Sequence, residues 1–595
     1  MDDFRNTTHS ASPDMRAQLS KAFAAALGKP GPEALTLFEA TFLNQILTDF
    51  DDQELPDLSP DQIEAVVTAF WAYGAIRSGA HTLRRIEPVG EGGTYDVVEI
   101  VQPDAPFIVE TVMGELIDQG VSIRSMFHPV VTVWRDAEGH RLAGEGDAAS
   151  ASAESMMLVF VERLSVEKRA QVLKGLNESL NDLKLAVRDF PRMRKLLAQE
   201  IETLETLRAS GTLTTDPAVL DENLAFLKWV DENHFVFLGA RGYAYPREGD
   251  GTYAREEPLN QMQEGFGVLR DSARAVLRRS SEPAVLSQQL ITQLENSEPV
   301  TVAKANLKSR VHRRIYMDYI GIKRYGADGN PSGEVRFVGL FTSEAYDRPA
   351  FEVPLIRRKA QRVLDDAFNM GIHGGYNEKR LKNIVETYPR DELFQMSEAD
   401  LLRIARGILH LSDRPRVKIF TRNDPFDRFI SVLLYVPREL YQSQMQKQAG
   451  EILAKAYLGR VSASYPYITE SLLSCVHYII GVTPGDHFEP NIADVEADIE
   501  NIVRSWPQKV DALVQEAAML ETLPLPHDHI DWMAWAGAFS AGYRDRYSVG
   551  EAVLDIDYLA SLTADAPYAV RAYQRMEDAD NIFCFKVYAL SLIHI

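Results

Sequence analysis

A basic run near the middle of the chain carries the side chains whose types and spacing could do chemistry. Its members, which end with one acid, are Lys304, Lys308, Arg310, His312, Arg313, Arg314 and Asp318. Clustered cationic side chains can hold a carboxylate or a phosphate, and Lys304, His312 and Asp318 could serve as an acid–base set. The alternative is a charged surface that pairs with the acidic remainder of the protein.

A second candidate site is the loop between a predicted strand and a predicted helix. Asp104 and Pro106 stand where regulatory domains of ferredoxin-like fold bind small ligands. Ordinary helix capping, with the proline at the first helical position, explains the same two residues without a ligand. The possible contacts for a regulatory ligand or an anion are therefore Asp104, Pro106, Lys304, Arg310 and His312.

Two further histidines occur in segments of unusual composition. His128 precedes Pro129 inside a predicted strand, which indicates an edge position or a bulge because proline donates no ladder hydrogen bond. His373 to Tyr376 resembles an oxyanion loop only superficially, since no nucleophile motif accompanies it. We interpret the first as structural and the second as a loop or hinge.

The sequence lacks the glycine loops that bind nucleotides. Gly90–Gly93 is the nearest candidate, but it has no correctly spaced third glycine and it precedes a strand, so we interpret it as a linker turn. No P-loop, HExxH or GxSxG motif occurs. We therefore assign no catalytic, cofactor-binding or metal-ligating residue, and we expect no Rossmann domain in this chain.

The composition is that of an acidic globular protein. The chain has 595 residues, of which 45% are hydrophobic and 25% charged, and its formal net charge is −23. This charge argues against a broad surface for nucleic acid or anionic membrane. Cys475 and Cys584 are too few for a Cys-rich zinc site or a disulfide framework, and the acidic N-terminus is not a signal peptide. We expect a cytoplasmic protein.

The elements that must position these residues mix helices and strands. Residues 1–85 have helical periodicity, with Ser59 and Pro60 as a helix start. From residue 95 the order strand, helix, strand, strand, helix begins a ferredoxin-like βαββαβ unit. Its closing strand would be His234–Tyr245, after a protruding helical arm of about Val166–Arg208.

The second half of the chain repeats this mixture. Strand patterns on both sides of the turn Gly326–Gly333 predict an antiparallel sheet. Residues Arg414–Val482 form a second α+β block in the order strand, strand, helix, strand. The chain is then mainly helical to about Gln574, and Ile582–Tyr588 is a strong final strand.

Several segments, in this order, resemble one known family. They are PFIVETVMGELIDQG (Pro106–Gly120), MFHPVVTVWRD (Met126–Asp136), ENHFVFLGARGY (Glu232–Tyr243), VAKANLKSRVHRRIYMDYIGIKRYGADGNPSGEVRFVGLFTSEAY (Val302–Tyr346), ETYPRDELFQ (Glu386–Gln395) and RPRVKIFTRNDPFDRFISVLLYVPRELY (Arg414–Tyr441). Over roughly residues 30–588 they resemble the large bacterial NAD-dependent glutamate dehydrogenases.

The resemblance implies an α+β multi-domain chain with ACT-like ferredoxin-like domains, an antiparallel β region and helical linkers. Its parts would be a helical segment at 1–88, a first ACT-like domain at 89–246 with a helical insertion at about 166–230, an α+β region at 247–412 with its sheet at 300–345, a second ACT-like domain at 413–485, a helical region at 486–575 and the start of a third ACT-like domain at 576–595.

The resemblance also implies a function. The chain would be the N-terminal regulatory and assembly region of a glutamate dehydrogenase. Its NAD and its catalytic lysine and aspartate would lie in a catalytic domain missing from this chain, so the chain alone would be inactive. The alternative is a stand-alone module that senses amino acids or binds proteins. Self-association to a homo-oligomer is expected, and an amino-acid effector is possible.

Two departures from the family pattern affect these expectations. Ligand-binding ACT domains carry a glycine after the loop proline, whereas Phe107 follows Pro106 here. After Tyr588 the family pattern ends, and residues 589–595 do not resemble its continuation. The first departure argues against amino-acid binding at this loop, and the second indicates a truncated or mis-joined reading frame.

Overall fold

The computed structural model of the chain divides into two compact units, residues 1–368 with 385–398 and residues 369–384 with 399–595. The structure describes residues 13–50, 55, 57–77, 83–89, 93–142, 151–248, 252–253, 259–260, 265–274, 276, 288–371, 375–426, 428–467, 472–483, 488–519, 530–573 and 584–590. Three segments discussed above, residues 90–92, 373–374 and 591–595, lie outside these ranges.

Three helices open the first unit: α1 (Pro13–Ala26), α2 (Leu37–Asp49) and α3 (Pro60–Tyr73). Ser59 caps α3 as the sequence predicted, because its side chain accepts a hydrogen bond from the amide of Gln62 and Pro60 follows at the first helical position. The apolar stripes of these helices form one core with a face of the first sheet.

The first sheet has a strand that the sequence did not predict. Its elements are β1 (Leu83–Pro88), β2 (Tyr95–Pro103), α4 (Ile108–Asp118), β3 (Ile123–Phe127), β4 (Val130–Trp134) and β5 (Ala151–Glu162). The strand order is β1-β2-β5-β3, all antiparallel, and β4 also pairs with β5. The edge beside β2 is therefore filled by β1, from the segment expected to be helical.

The expected closing strand belongs elsewhere. β6 (Phe235–Ala244) covers most of His234–Tyr245, but it pairs with a strand of the second sheet. The predicted βαββαβ unit is thus wrong in its last strand. Because β1 already occupies that edge of the first sheet, β6 has no free position there.

The expected protruding arm is also wrong. α5 (Val166–Ser210) is one helix of 45 residues that continues through Pro191, and α6 (Pro217–Trp229) follows it. α5 contacts α4 and β1, and it also contacts β6. Its buried leucines therefore pack against elements of both sheets, which explains their spacing along the helix.

The second sheet contains the antiparallel region that the sequence predicted. Its strands are β6, β7 (Leu259–Asn260), β8 (Phe266–Gly267), β9 (Val300–Lys308), β10 (Tyr316–Tyr325) and β11 (Pro331–Phe341). The order is β7-β6-β11-β10-β9, and β8 also pairs with β6. Gly267 has φ +56, and a Cβ there would lie 2.0 Å from the carbonyl oxygen of Leu238. Only glycine allows this close crossing.

Helices connect the second sheet to the rest of the chain. They are α7 (Gln288–Glu295), α8 (Ser343–Asp347), α9 (Ile356–Asn369), α10 (Gly375–Thr387), α11 (Arg390–Gln395) and α12 (Glu398–Asp413).

The second unit repeats the topology of the first sheet. Its elements are β12 (Lys418–Asn423), β13 (Phe429–Pro437), α13 (Ser443–Ala456), β14 (Arg460–Tyr467), β15 (Leu473–Gly481) and α14 (Ile492–Val503). The antiparallel order β12-β13-β15-β14 matches β1-β2-β5-β3. The sequence interpretation missed β14. When β3 and β4 are counted as one strand interrupted at His128 and Pro129, both blocks run strand, strand, helix, strand, strand, helix.

The last described elements are α15 (Trp506–Met519), α16 (Trp532–Ala538), α17 (Ala541–Arg546), α18 (Val549–Ala560), β16 (Tyr568–Tyr573) and β17 (Cys584–Ala589). The predicted final strand is β17, and it pairs with β16, which lies in the segment expected to be helical. Within the described ranges, no helix combines the length and the hydropathy needed to cross a membrane.

Candidate functional site

Lys304 and Asp318 form the centre of a buried ionic cluster on the second sheet. They face each other directly across β9 and β10, and the Nζ atom of Lys304 is 2.6 Å from Oδ1 of Asp318. The same Nζ atom is 2.9 Å from Oδ2 of Asp391 at the start of α11. The hydroxyl of Tyr346 donates a hydrogen bond of 2.6 Å to Asp391. We call these four residues the Lys304 cluster.

The Lys304 cluster has one positive and two negative side chains, of which Asp318 is almost fully buried and Asp391 is about a quarter exposed. Burial and the neighbouring charge of Asp391 raise the pKa of Asp318 to about 6, although Lys304 acts in the opposite direction. Burial alone would lower the pKa of Lys304, but the two carboxylates outweigh it and raise that pKa. The lysine is therefore held as a cation between its two acids.

The structure does not assemble the acid–base set that we considered for Lys304, His312 and Asp318. The amide of His312 donates to Oγ1 of Thr111 on α4 over 3.1 Å, and its imidazole lies 4.6 Å from the ring of Phe107. Burial lowers the pKa of His312, with a further contribution from Arg313. His312 belongs to the contact with the first sheet, and that hypothesis is wrong.

The arginines of the basic run pair with acids on two helices. Nη2 of Arg310 is 2.9 Å from Oε2 of Glu178 on α5. Arg314 pairs with Glu115 on α4 and donates to Oγ of Ser179 over 3.0 Å. These contacts favour the alternative that we gave for the run, a charged surface that pairs with acids, because an anion at Arg310 or Lys304 would have to displace a carboxylate.

The acids of α5 form a stripe that sequence reasoning missed. Glu178, Asp182, Asp189 and Glu200 are spaced so that they lie on one side of the helix. Their partners, in the same order, are Arg310, Arg274, Arg270 and Arg324. The spacing of the acids was visible in the sequence, but their pairing with these arginines was not.

Asp189 is the most strongly held acid of this stripe. Its Oδ2 atom accepts hydrogen bonds from Nε of Arg270 over 2.5 Å and from the amide of Gly267 over 2.9 Å. Burial would raise the pKa of Asp189, but these bonds outweigh burial and lower it to about 2.

We expect Asp189→Asn to loosen the segment Phe266–Arg270 from α5 by about 2 kcal/mol at pH 7. A carboxylate whose pKa is depressed by folding contributes its full stability above its unfolded pKa of about 3.9, and loses it as the pH falls toward 2. The difference between the variant and the native chain should therefore shrink progressively below about pH 4.

Hydrogen exchange of the amides of residues 266–269, corrected for intrinsic rates, measures this difference. Glu202→Gln is the matched control, because Glu202 is exposed on the same helix and should change nothing. If the amides of residues 266–269 exchange equally fast in Asp189→Asn and in the native chain, Asp189 does not hold this segment against α5.

The loop with Asp104 and Pro106 does not cap α4. Asp104 accepts a hydrogen bond from Oγ of Ser155 over 2.5 Å, and its amide donates to the carbonyl of Ala153. The residue before the helix is Phe107, in the left-handed region with φ 67. Pro106 therefore lies two positions before Ile108, so the prediction of a proline at the first helical position is wrong.

His128 and Pro129 interrupt the predicted strand as expected. They separate β3 from β4, and both of these strands pair with β5 at the edge of the sheet. The carbonyl of Pro129 accepts a hydrogen bond from the amide of Met156. Burial lowers the pKa of His128, which favours its neutral form.

Two other buried ionic groups were not predicted. Glu334 accepts hydrogen bonds from Tyr245, Tyr319 and Arg336 within the second sheet. Glu154 on β5 pairs with Arg77 and Arg135. No sequence signal marks them, since a charged residue in a strand gives no indication of whether its partner is water or another buried charge.

One surface turn presents groups that a metal ion could use. Ligand atoms of Asp136, Glu138 and His140 lie within 4.8 Å of one another. Asp136 already accepts hydrogen bonds from the amide and the ring of His140, which close the turn. The group is exposed, and such turns are common without a metal, so we assign none.

Family models match four parts of this architecture. The glutamate dehydrogenase ACT1 domain matches residues 42–176 and the ACT2 domain residues 418–507. Helical motifs 1 and 2 of glutamate dehydrogenase match residues 353–414 and 533–562. The ACT1 match includes the last eight residues of α2, all of α3 and the whole first sheet. It ends before β6, which agrees with the place of β6 in the second sheet.

Curated relatives match almost the whole chain. The NAD-specific glutamate dehydrogenase of Halomonas elongata is 30% identical over 587 residues, which is 95% of this chain and 34% of the relative. The enzyme of the same name from Pseudomonas aeruginosa is 29% identical over 98% of this chain and 35% of the relative. That from Mycobacterium tuberculosis is 26% identical over 94% and 33%.

The chain belongs to the family of large bacterial NAD-specific glutamate dehydrogenases. It spans about a third of the length of the curated relatives that it matches. The family is one of oxidoreductases that use NAD, as the resemblance implied.

The comparisons contradict our functional expectation for the chain. We expected a regulatory and assembly region whose catalytic domain is missing. The matches include nearly all of this chain but only about a third of each relative. The chain therefore corresponds to part of the length of a glutamate dehydrogenase. It gives no support to a missing catalytic domain, and that prediction is wrong.

Proposed function

We propose that the protein to which this chain belongs oxidises L-glutamate with NAD and water to 2-oxoglutarate, ammonia and NADH. The observation that carries the proposal is the match, at 30% identity over 95% of the chain, to an NAD-specific glutamate dehydrogenase. The ACT1 and ACT2 matches also support it, because each coincides with one of the two sheets whose strand orders correspond.

The assay uses the product of the complete open reading frame. We expect L-glutamate to produce NADH, followed by its absorbance at 340 nm, and we expect NADP not to replace NAD. Absence of glutamate-dependent NADH formation by a folded, complete product would overturn the proposal.

We further propose that the 595 residues by themselves neither bind NAD nor form NADH. The sequence offers no spaced-glycine loop between a strand and a helix, and Lys304 is already paired with two carboxylates. The same assay and a calorimetric titration with NAD test this proposal on the 595-residue chain. Saturable NAD binding or glutamate-dependent NADH formation would contradict it.

The remaining proposals concern partners and location. We propose self-association to a homo-oligomer and an amino-acid effector, and neither a nucleic-acid nor a membrane partner. The net charge of −23 supports the last point. The absence of a disulfide between Cys475 and Cys584 is compatible with a cytoplasmic location.

A further inference from the structure

A cavity of about 330 Å³ lies between α5 and the beginning of β6. Its walls also include Pro106 and Phe107 from the loop before α4, and Val311 from the connection between β9 and β10. We call it the α5–β6 cavity. Because these walls come from both sheets of the first unit, a molecule in the cavity would contact both sheets at once.

The walls of the α5–β6 cavity are almost entirely apolar. They include Leu183, Ala186 and Phe190 from α5 and Phe235 and Phe237 from β6. The polar side chains among the described lining residues are Asn233 and Thr342, and no lining residue is charged. Phe190 and Asn233 are exposed and mark the open side.

Backbone strain is concentrated around this cavity. Five non-glycine residues of the described chain have positive φ, and Phe107 and Asn233, at φ 67 and 68, both line the cavity. A third, His312, has φ 62 and packs its ring on Phe107. Strained residues persist only where the surrounding structure holds them, and they cluster at ligand sites. The shape of the cavity is therefore maintained by the fold.

Three ionic groups near the cavity in sequence are already engaged. On α5, Asp182 pairs with Arg274 and Asp189 with Arg270, and Arg313 donates to the carbonyl of Phe341. A bound ammonium or carboxylate would therefore lose its hydration and gain no counter-ion. These features favour an uncharged ligand over a zwitterionic amino acid.

We propose that the α5–β6 cavity binds a neutral, mainly apolar small molecule with one hydrogen-bonding group. A protein cavity of about 150 Å³ accepts benzene, so the larger volume here suits a molecule of two fused rings. Asn233 or Thr342 would meet its single polar group. The site does not depend on the proposed dehydrogenase reaction, and it is distinct from the amino-acid effector proposed above.

Indole and L-tryptophan form the matched pair of probes, because they share one ring system and differ in charge. Calorimetric titration of the 595-residue chain should show saturable, one-site binding of indole. L-Tryptophan should bind at least about tenfold more weakly, since its ammonium and carboxylate have no partner in the cavity. A flat indole titration, or equal binding of the two probes, would overturn the proposal.

Cavity-filling variants locate the binding. Ala186→Phe and Val236→Phe fill the cavity from opposite walls, and each should weaken indole binding by about tenfold or more. Lys184→Phe is the control, because Lys184 is exposed on the same helix and should leave binding unchanged. Native binding in either filling variant that retains its circular dichroism spectrum would contradict the location. The comparison of probes decides the proposal even if both variants fail to fold.

Discussion

Replacing Glu154 with leucine is expected to destabilise the first sheet by about 3–5 kcal/mol. Glu154 is 1% exposed, and its Oε1 atom lies 2.7 Å from both Nη2 of Arg77 and Nε of Arg135. Removing the carboxylate takes away the buried anion that both guanidinium groups contact. The carbonyls of Gly74, just after α3, and of Gly139, in the turn after β4, still accept hydrogen bonds from Arg135.

The pKa of Glu154 also indicates that Arg77 and Arg135 stabilise its charged carboxylate. Burial would raise it, but the hydrogen bonds and charges of Arg135 and Arg77 outweigh burial and lower it. Glu154 is therefore ionised near neutral pH. Glu154→Gln, which keeps the shape and loses the charge, should be less destabilising than Glu154→Leu, because the amide oxygen still accepts one hydrogen bond.

Hydrogen exchange of the amides of β2 and β5 measures the effect locally, which avoids assuming that a chain of two units unfolds in one step. Glu162→Leu is the control on the same strand. Glu162 pairs with Arg124, but both side chains are about half exposed, so its loss should cost less than 1 kcal/mol. If the amides of β2 and β5 exchange at the same rate in Glu154→Leu and Glu162→Leu, the ion pairs of Glu154 do not stabilise the first sheet.

The second large effect is expected for Lys304→Met. This substitution leaves Asp318 and Asp391 close together in a buried site without their cation, and should cost about 3–5 kcal/mol at pH 8. α11 should be held less firmly against β9, since Asp391 joins it to Lys304. Adding Asp391→Asn to Lys304→Met should restore part of the stability, because only one carboxylate charge then remains in the cluster and the repulsion between Asp318 and Asp391 is removed.

The cost of Lys304→Met should depend on pH. A carboxyl whose pKa is raised by folding, as that of Asp318 is to about 6, contributes most stability below its unfolded pKa of about 3.9 and loses it as the pH rises through the folded value. Without Lys304 this pKa rises further, so the cost should grow between pH 5 and pH 8.

Hydrogen exchange of β9 and β10 at several pH values checks the Lys304→Met prediction. Lys308→Met is the matched control, because Lys308 lies at the exposed end of β9 and should change stability by less than about 0.5 kcal/mol. If the loss of stability in Lys304→Met does not depend on pH, Asp318 does not have the role that we infer. If stability is not lost at all, the Lys304 cluster does not stabilise the second sheet.

Local sequence patterns predicted the strongest strands but not the edge strands or the pairing between strands. β9, β10 and β11 were predictable because they are strongly patterned and a clear turn separates β10 from β11. β14 was missed because it is an edge strand with mostly polar, partly exposed residues, and such strands lack a marked alternation. The prediction that His234–Tyr245 forms a strand was correct, but the sheet to which it was assigned was wrong. A strand pattern does not specify which strand will be its neighbour.

The candidate site shows the same division. The basic run from Lys304 to Arg314 was visible, yet the partners that define its role are as far away in sequence as Glu115 and Asp391. The acid stripe of α5 could have been found by helical spacing. The α5–β6 cavity could not, because its walls come from segments more than 200 residues apart.

The sequence by itself determined the family, the α+β class, the helix start at Ser59 and the strong strands of the second sheet. These properties depend on residues within one or two turns of each other, or on segments long enough to resemble relatives. Only the tertiary structure decided that β1 closes the first sheet, that β6 joins the second, and that the basic run pairs with acids of α4 and α5. The physical reason is that burial and ion pairing depend on which distant segments meet, and local hydrophobic and charge patterns do not encode that choice.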